Sequence, residues 1–424
     1  MHERFHSHTP RRSCRRGALL LALVAATTLS ASSARAALGT IDVAPAATIL
    51  VPYFEVDLAK ADGMKTIVGL QNTSATTVVT NVTVWSDLGI PVINFNASVG
   101  PNGVQSFSLR DVLTGKLPAV ASALPGCSNL PTTLPAMTVT GLQAALTGVA
   151  SATLGGKCAG VAHGDQIARG YVTIDVVSSC GTANPTTASY FASDNTRIAS
   201  DANVLLADYF FVDPSAGLSQ GDSAVHIEAD PTKSSEQHSQ SGAYSFYGQY
   251  VSWSGADHRE ALARKWTANY LDNQTDLIVW RDTQAATAPF TCGQPLSFYP
   301  LGLVAVTVFD TQEQPVAQPR QVFAPAPPSG PAISFGAATG RYHVGGANGL
   351  PVTARQGVFF LDLGNPNGKG PSERPVAQQS YVMEIHLPGS IPGSVPYGTG
   401  TRATPLDSVS TDVPFDESNG FPVY

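Results

Sequence analysis

Short runs rich in Val, Ile, Thr and aromatic residues recur along this chain at intervals of about 10 to 15 residues, the spacing of an antiparallel β-sandwich. Residues 48–54, 66–70, 78–85, 91–95 and 104–109 are the first five, punctuated by Asn72-Thr73-Ser74, Asp87-Leu88-Gly89 and Gly100-Pro101-Asn102-Gly103. In Val82-Thr83-Val84-Trp85 the valines share one face of the pleat, and Thr83 and Trp85 the other. Either face suits burial. A further run at 169–177 is expected to close a first sandwich. The second half resumes with 202–212, 223–229, 276–280, 302–309, 357–363 and 381–387.

Two stretches break this style. Residues 113–165 are rich in Ala, Leu, Thr, Gly and Pro and read as an insertion. Residues 257–271 carry Asp257 and Glu260 at capping-box spacing, with Leu262, Trp266 and Tyr270 on one helical stripe. They predict a helix that covers a sheet. The chain also echoes itself: Val82-Thr83-Val84-Trp85 is followed by Pro91-Val92 as Val306-Thr307-Val308-Phe309 is followed by Pro315-Val316. Upstream, 66–68 and 275–279 have the character of a preceding strand in each half. A duplicated sandwich and a chance likeness of two hairpins both produce such an echo.

Composition narrows the class. Of 424 residues 43% are apolar and 13% charged, against about 25% charged in average domains, which excludes wholesale disorder and long solvated helices. The net charge of −7 offers no basic excess for nucleic acid. At the N-terminus, Arg11, Arg12, Arg15 and Arg16 precede an apolar stretch over 17–29, and Ala34-Arg35-Ala36 has the small-x-small pattern of a signal cleavage site. Residues 1–36 therefore read as a signal peptide. No later apolar segment has spanning length.

Cysteine usage fits export. Cys14 precedes the apolar stretch, and cleavage leaves Cys127, Cys158, Cys180 and Cys292. Four cysteines in an oxidising compartment predict two disulfides with three connectivities. Cys127–Cys158 is the favoured pair, because both lie in the insertion, and Cys180–Cys292 follows by elimination. The absence of CxxC argues against a metal.

Chemistry-bearing motifs are scarce. The chain lacks GxSxG, HExxH, a phosphate loop and a dinucleotide-binding glycine signature, so no cofactor is expected. Gly364-Asn365-Pro366-Asn367-Gly368-Lys369 has the composition of a turn, and Asp362 before it is a meagre start for a calcium loop. The best catalytic or metal candidate is His226-Ile227-Glu228-Ala229-Asp230. On a strand, His226, Glu228 and Asp230 share one face, an arrangement able to bind a metal ion or supply acid/base groups to a sugar. The competing reading is a polar solvent face with Ile227 and Ala229 turned inward. His163 and Asp165 read as solvated turn residues, His343 and His386 as isolated. Tyr244, Phe246, Tyr250 and Trp253 suit either core packing or a sugar- or protein-binding platform.

Ile49-Leu50-Val51-Pro52-Tyr53-Phe54, Gln71-Asn72-Thr73-Ser74, Val84-Trp85-Ser86-Asp87-Leu88-Gly89, Phe95-Asn96 and Leu109-Arg110-Asp111-Val112-Leu113 resemble a group of exported bacterial β-rich proteins. The likeness is clearest over 49–113 and continues weakly through Asn203-Val204-Leu205 and Val279-Trp280-Arg281-Asp282. It implies export and a β-rich fold, and no functional residue. The expected protein is all-β: two immunoglobulin-like antiparallel sandwiches, a disulfide-stapled insertion and one covering helix. After the signal peptide (1–36), the N-terminal sandwich takes 37–182 with its insertion at 113–165, and the C-terminal sandwich takes 183–424. The expected role is non-catalytic binding or structure in the periplasm or outside the cell, toward a protein or glycan of the envelope. The alternative is a secreted hydrolase, acting on polysaccharide through His226, Glu228 and Asp230.

Overall fold

The computed structural model describes residues 44–187, 190, 198–215, 218–227, 263, 265–281, 289–293, 305–312, 315–316, 337–346, 349–363, 380–387, 399–402, 404–405, 415–416 and 421–422. The signal-peptide segment, Glu228 and Asp230, the aromatic group at 244–253 and the turn at 364–369 lie outside the described residues. The protein is mostly β, with several antiparallel sheets.

The first nine strands are β1 (Thr48–Asp57), β2 (Lys65–Asn72), β3 (Val78–Ser86), β4 (Pro91–Val99), β5 (Val104–Ser108), β6 (Ile167–Val177), β7 (Leu205–Asp213), β8 (Leu218–Ser223) and β9 (Val225–Ile227). They form sheet I, in the order β4-β3-β6-β1-β9, and sheet II, in the order β5-β2-β7-β8. The next nine are β10 (Lys265–Leu271), β11 (Thr275–Arg281), β12 (Ala305–Asp310), β13 (Pro315–Val316), β14 (Thr339–His343), β15 (Gln356–Asp362), β16 (Ser380–His386), β17 (Thr399–Arg402) and β18 (Thr404–Pro405). They form sheet III, β13-β12-β15-β10-β18, and sheet IV, β14-β11-β16-β17. Each described strand of the first set has its counterpart at the same place in the second, in the same chain order. The echo read from the sequence joins equivalent strands: β3 with β12, β4 with β13, β2 with β11. A short hairpin, β19 (Phe415–Asp416) with β20 (Phe421–Pro422), follows.

Burial gives the layering. Strands β2, β7 and β10 alternate between buried and accessible positions, as strands with one covered face do. Strands β1, β3, β6, β11 and β16 are buried almost continuously, on both faces. Strand β1 packs on β2 and β7, its equivalent β10 packs on β11 and β16, and between the sets β1 meets β11 and β14 while β6 meets β14. Sheets I and IV are thus covered on both faces, and sheet IV also meets sheet II directly, β17 beside β8 and Met383 against the Tyr209 hydroxyl.

The expected helix over 257–271 is not formed at its C-terminal half, which is strand β10. Residues 257–262 lie outside the described residues. A spacing of four residues between Trp266 and Tyr270 fits one helical turn and equally two pleats. Ala268, also fully buried, reveals the period of two. The described helices are instead α1 (Leu109–Leu113) and α2 (Ala136–Thr147). Helix α2 belongs to the insertion and covers sheet I at β4 and β6. Its Thr and Gly content masks it in the sequence, but Leu142, Ala145 and Leu146 form its buried stripe. It ends at Gly148 (φ 69°), where a Cβ would fall 2.2 Å from the backbone of Val161.

All four cysteines are paired, in a different connectivity from the one expected: Cys127 with Cys180 and Cys158 with Cys292. Proximity in sequence misled because residues 116–134 and 151–158 of the insertion run to different neighbours. Gly126 lies against the backbone of Cys180, whereas Cys158 forms a β-bridge with Phe290. The bridges close separations of 53 and 134 residues, for which the chain-entropy relation gives about 4 and 5 kcal/mol. Non-reducing peptide mapping is expected to recover these two pairs. A Cys158→Ser/Cys292→Ser double variant is expected to unfold at a lower temperature while keeping the Cys127–Cys180 bridge.

Candidate functional site

Among the described residues, the densest ionisable cluster sits where sheet I meets sheet IV. Arg341, on β14, donates from Nη1 to Glu55 Oε2 at 3.0 Å and from Nε to Asp276 Oδ2 at 2.6 Å. Asp276 Oδ1 lies 2.7 Å from His343 Nδ1. Glu55 Oε1 accepts the Tyr53 hydroxyl at 2.6 Å, and Arg169 Nε stands 3.7 Å away. Arg169 is also held by both oxygens of Asp165 at 2.8 Å. Burial opposes the charge on Arg341, but Glu55 and Asp276 outweigh it and hold its pKa above the ordinary value. Tyr53 is pushed well above its ordinary value, by burial first and then by Glu55. The Arg169 hydrogen bonds hold the Asp165 carboxyl low. Asp276 and Glu55 are nearly inaccessible, whereas His343 is 41% exposed at its side chain.

Asp87 forms a second node. Its Oδ1 accepts Val161 N–H at 3.0 Å and its Oδ2 lies 3.1 Å from His163 Nε2, while its carbonyl accepts the N–H groups of Ala338 and Thr339. One residue thus ties the β3–β4 turn to the insertion and to the second strand set. Burial raises the pKa of its carboxyl group, with His163 and Val161 pulling the other way.

Side chains also bridge facing sheets. His226 is 5% exposed on β9, and its Nε2 accepts the Ala207 N–H of β7 at 2.9 Å. Of the His226, Glu228, Asp230 triplet only this histidine lies among the described residues. Glu384 Oε1 on β16 accepts the Asn269 N–H of β10 at 2.7 Å, and its Oε2 lies 3.3 Å from His386 Nε2. Burial pushes the Glu384 carboxyl up to about 7 and the His386 imidazole down. On the polar face of sheet I, buried Asp175 accepts the hydroxyls of Thr48 and Tyr190, both at 2.6 Å.

Sequence reading left His163, Asp165, His343 and His386 as solvated or isolated. The structure gives each a side-chain neighbour within 3.3 Å, Asp87, Arg169, Asp276 and Glu384 in turn. It passed over Glu55, Arg169 and Arg341 entirely. Glu55 and Arg341 are 286 positions apart, and no local pattern announces such a contact. Chemically, the junction is a set of opposed charges satisfied by one another. Among the described residues no group of three or more His, Cys, Asp or Glu is placed to hold a metal ion. An open cleft of about 490 Å³, bordered by Leu271, Gln274, Thr311, Ala354, Arg355 and Gln356, contains none of these clusters. Among the described residues no helix is long and apolar enough to cross a membrane. No family model, no curated protein and no solved structure matches this chain.

Two variants test the reading of these clusters. Arg341→Met leaves Glu55 and Asp276 buried without their shared cation, and is expected to cost about 3–5 kcal/mol in denaturant unfolding. For Glu384, a carboxyl that ionises near 4.5 ordinarily and near 7 when folded favours the fold at low pH. That benefit is present below about pH 4.5 and is lost as pH rises toward 7. Glu384→Gln keeps an acceptor for Asn269 and is expected to flatten that decline. At pH 8 it should gain on the order of 1 kcal/mol after allowance for partial solvent screening.

Proposed function

We propose that this chain is an exported bacterial protein of non-catalytic binding or structural function, built as two immunoglobulin-like sandwiches and directed at a protein or glycan of the cell envelope. The observation that carries this reading is the use to which the charged side chains are put. Glu55, Arg169, Arg341, Asp276 and Asp87 are spent on one another and on backbone groups across the junction of the two strand sets. Such a junction fixes two sheet pairs as one framework, and frameworks of this kind present ligands to loops at the sheet ends. Support for export comes from the pattern over residues 1–36 and from the two disulfides, which persist in oxidising compartments.

Expression of the full chain in a bacterial host, followed by fractionation and N-terminal sequencing, is expected to yield a product that starts at residue 37, outside the cytoplasm and fully oxidised. The purified product is expected to leave envelope glycans, polysaccharides and ester substrates unchanged. Release of product that disappears in Glu228→Gln would overturn the non-catalytic reading. Retention of residues 1–36 in a cytoplasmic, reduced product would overturn export.

A further inference from the structure

The repeat can be followed residue by residue at one corner of each strand set. Phe54, Trp85 and Gly170 meet on sheet I as Tyr270, Phe309 and Gly357 meet on sheet III. A Cβ on either glycine would run into the Trp85 or Phe309 carbonyl and into the Phe54 or Tyr270 ring. Gly170 is the cross-strand partner of Phe54 and Ser86, and Gly357 is that of Tyr270 and Asp310. One residue further along each strand, Glu55 therefore matches Leu271, Arg169 matches Gln356 and Asp87 matches Thr311. In the first set this corner is closed. Glu55 receives Arg341, Arg169 is held by Asp165, and Asp87 accepts the Val161 N–H beside His163.

In the second set the same corner is the open cleft of about 490 Å³. That volume falls among small-molecule sites, which hold roughly 300–1,000 Å³. All three matched positions have lost their charge: Leu271 stands for Glu55, Gln356 for Arg169 and Thr311 for Asp87. Arg355 is the one cation on the cleft's border. Arg169 and Arg341 are both paired with carboxylates, whereas the Arg355 guanidinium has no such partner among the described residues. The backbone that carries it is fixed. The Arg355 carbonyl accepts the Asp272 N–H at 2.8 Å, the Gln274 N–H closes a turn on the Leu271 carbonyl at 3.0 Å, and the Gln274 carbonyl accepts the Leu387 N–H at 2.8 Å. The acids next to the cleft in sequence are engaged elsewhere: Asp272 Oδ1 lies against Gly345, and Asp310 Oδ1 accepts the Gln312 N–H at 2.8 Å.

We propose that this cleft binds an internal unit of an acidic polysaccharide, a sugar ring bearing one carboxylate. The inference rests on the binding role proposed above and gives that role a site at one end of sheet III. A guanidinium presents a planar fork of donors that matches a carboxylate. The amides of Gln274 and Gln356 and the hydroxyl of Thr311 each donate and accept, as recognition of sugar hydroxyls requires. Leu271, 37% exposed, and Ala354 add apolar surface for the C–H face of a ring. A single cation suits one carboxylate, whereas a run of phosphates calls for several. An extended acidic peptide binds by adding to a strand edge, and β15 lies between β10 and β12, so the cleft offers none there. An open cleft also lets a polymer continue past the bound unit.

The test is isothermal titration calorimetry on the disulfide-bonded protein. Trigalacturonate and trimannuronate serve as acidic sugars, galactotriose as a neutral one and triglutamate as an acid that is not a sugar. At least one of the uronate trimers is expected to bind, ahead of galactotriose and triglutamate and more weakly as salt is raised. Arg355→Met should weaken that binding about 10- to 100-fold, as loss of a charge-assisted hydrogen bond does. Gln356→Glu sets a like charge beside the ligand and should weaken it in the same direction. Both side chains are exposed, so neither variant burdens the fold. Lys116→Met removes an exposed cation of the insertion and should leave binding unchanged. Failure of both uronate trimers to bind overturns the proposal, as does equal or tighter binding of galactotriose or triglutamate. Uronate binding that is intact in Arg355→Met also overturns this site, while the proposed binding role stands. Shortened sugars after incubation overturn the non-catalytic role instead, and Arg355→Met still decides the site.

Discussion

One guanidinium governs how the two strand sets meet. Arg341 lies between Glu55 and Asp276, carboxylates that contact water hardly at all. Ionised groups so placed are tolerable only with a cation held in register, and geometry here must be kept closely because the penalty for a lost partner is several kcal/mol. The remaining contacts of the junction, Tyr171 on Trp280 and the carbonyl of Asp87 on the strand leading into β14, fall into place once that register is set. Apolar packing supplies area between the inner sheets. The ion pairs make one orientation of those sheets better than its neighbours.

The same demand explains why sheets I and IV are rich in polar residues that never reach solvent. Thr48, Asp175 and Tyr190 satisfy one another, Trp85 Nε1 donates to Thr173 Oγ1, and Thr83 donates to Asn81. An inner sheet has two covered faces, and here one of them is apolar, with Val82, Val84, Val172 and Ile174, while the other is a hydrogen-bonded surface that meets Gly181, Ala183 and, through Tyr171 and Glu55, sheet IV. The valine face and the Thr83/Trp85 face of β3, equally eligible from sequence, are both buried, for different physical reasons.

How far the amino-acid order discloses this structure depends on the range over which each feature is encoded. Strands with one covered face announce themselves by alternation, and β2 and β7 were legible for that reason. The run at 265–271 was ambiguous because four is a multiple of two as well as close to 3.6. The disulfide connectivity and the Glu55–Arg341–Asp276 cluster were not legible, since both are decided by which distant strands share a layer. The repeat itself survives only as a faint echo. Equivalent sheets occupy different environments: the strands of I and IV are buried on both faces, whereas those of II and III alternate. Equivalent positions therefore face different solvents and carry different residues, Lys65-Thr66-Ile67-Val68 in β2 against the wholly buried Thr275-Asp276-Leu277-Ile278 in β11.

The Cys158–Cys292 bridge has a consequence for tension on the chain. A pull on its two ends is transmitted through the sulfur–sulfur bond and bypasses the segment between the two cysteines, a sequence separation of 134. That stretch holds β6 to β9, β10 and β11, strands from all four sheets. Roughly 450 Å of potential extension is thereby withheld. Under load the oxidised molecule can yield only the segments outside that bridge, and reduction makes the withheld length available to the pull.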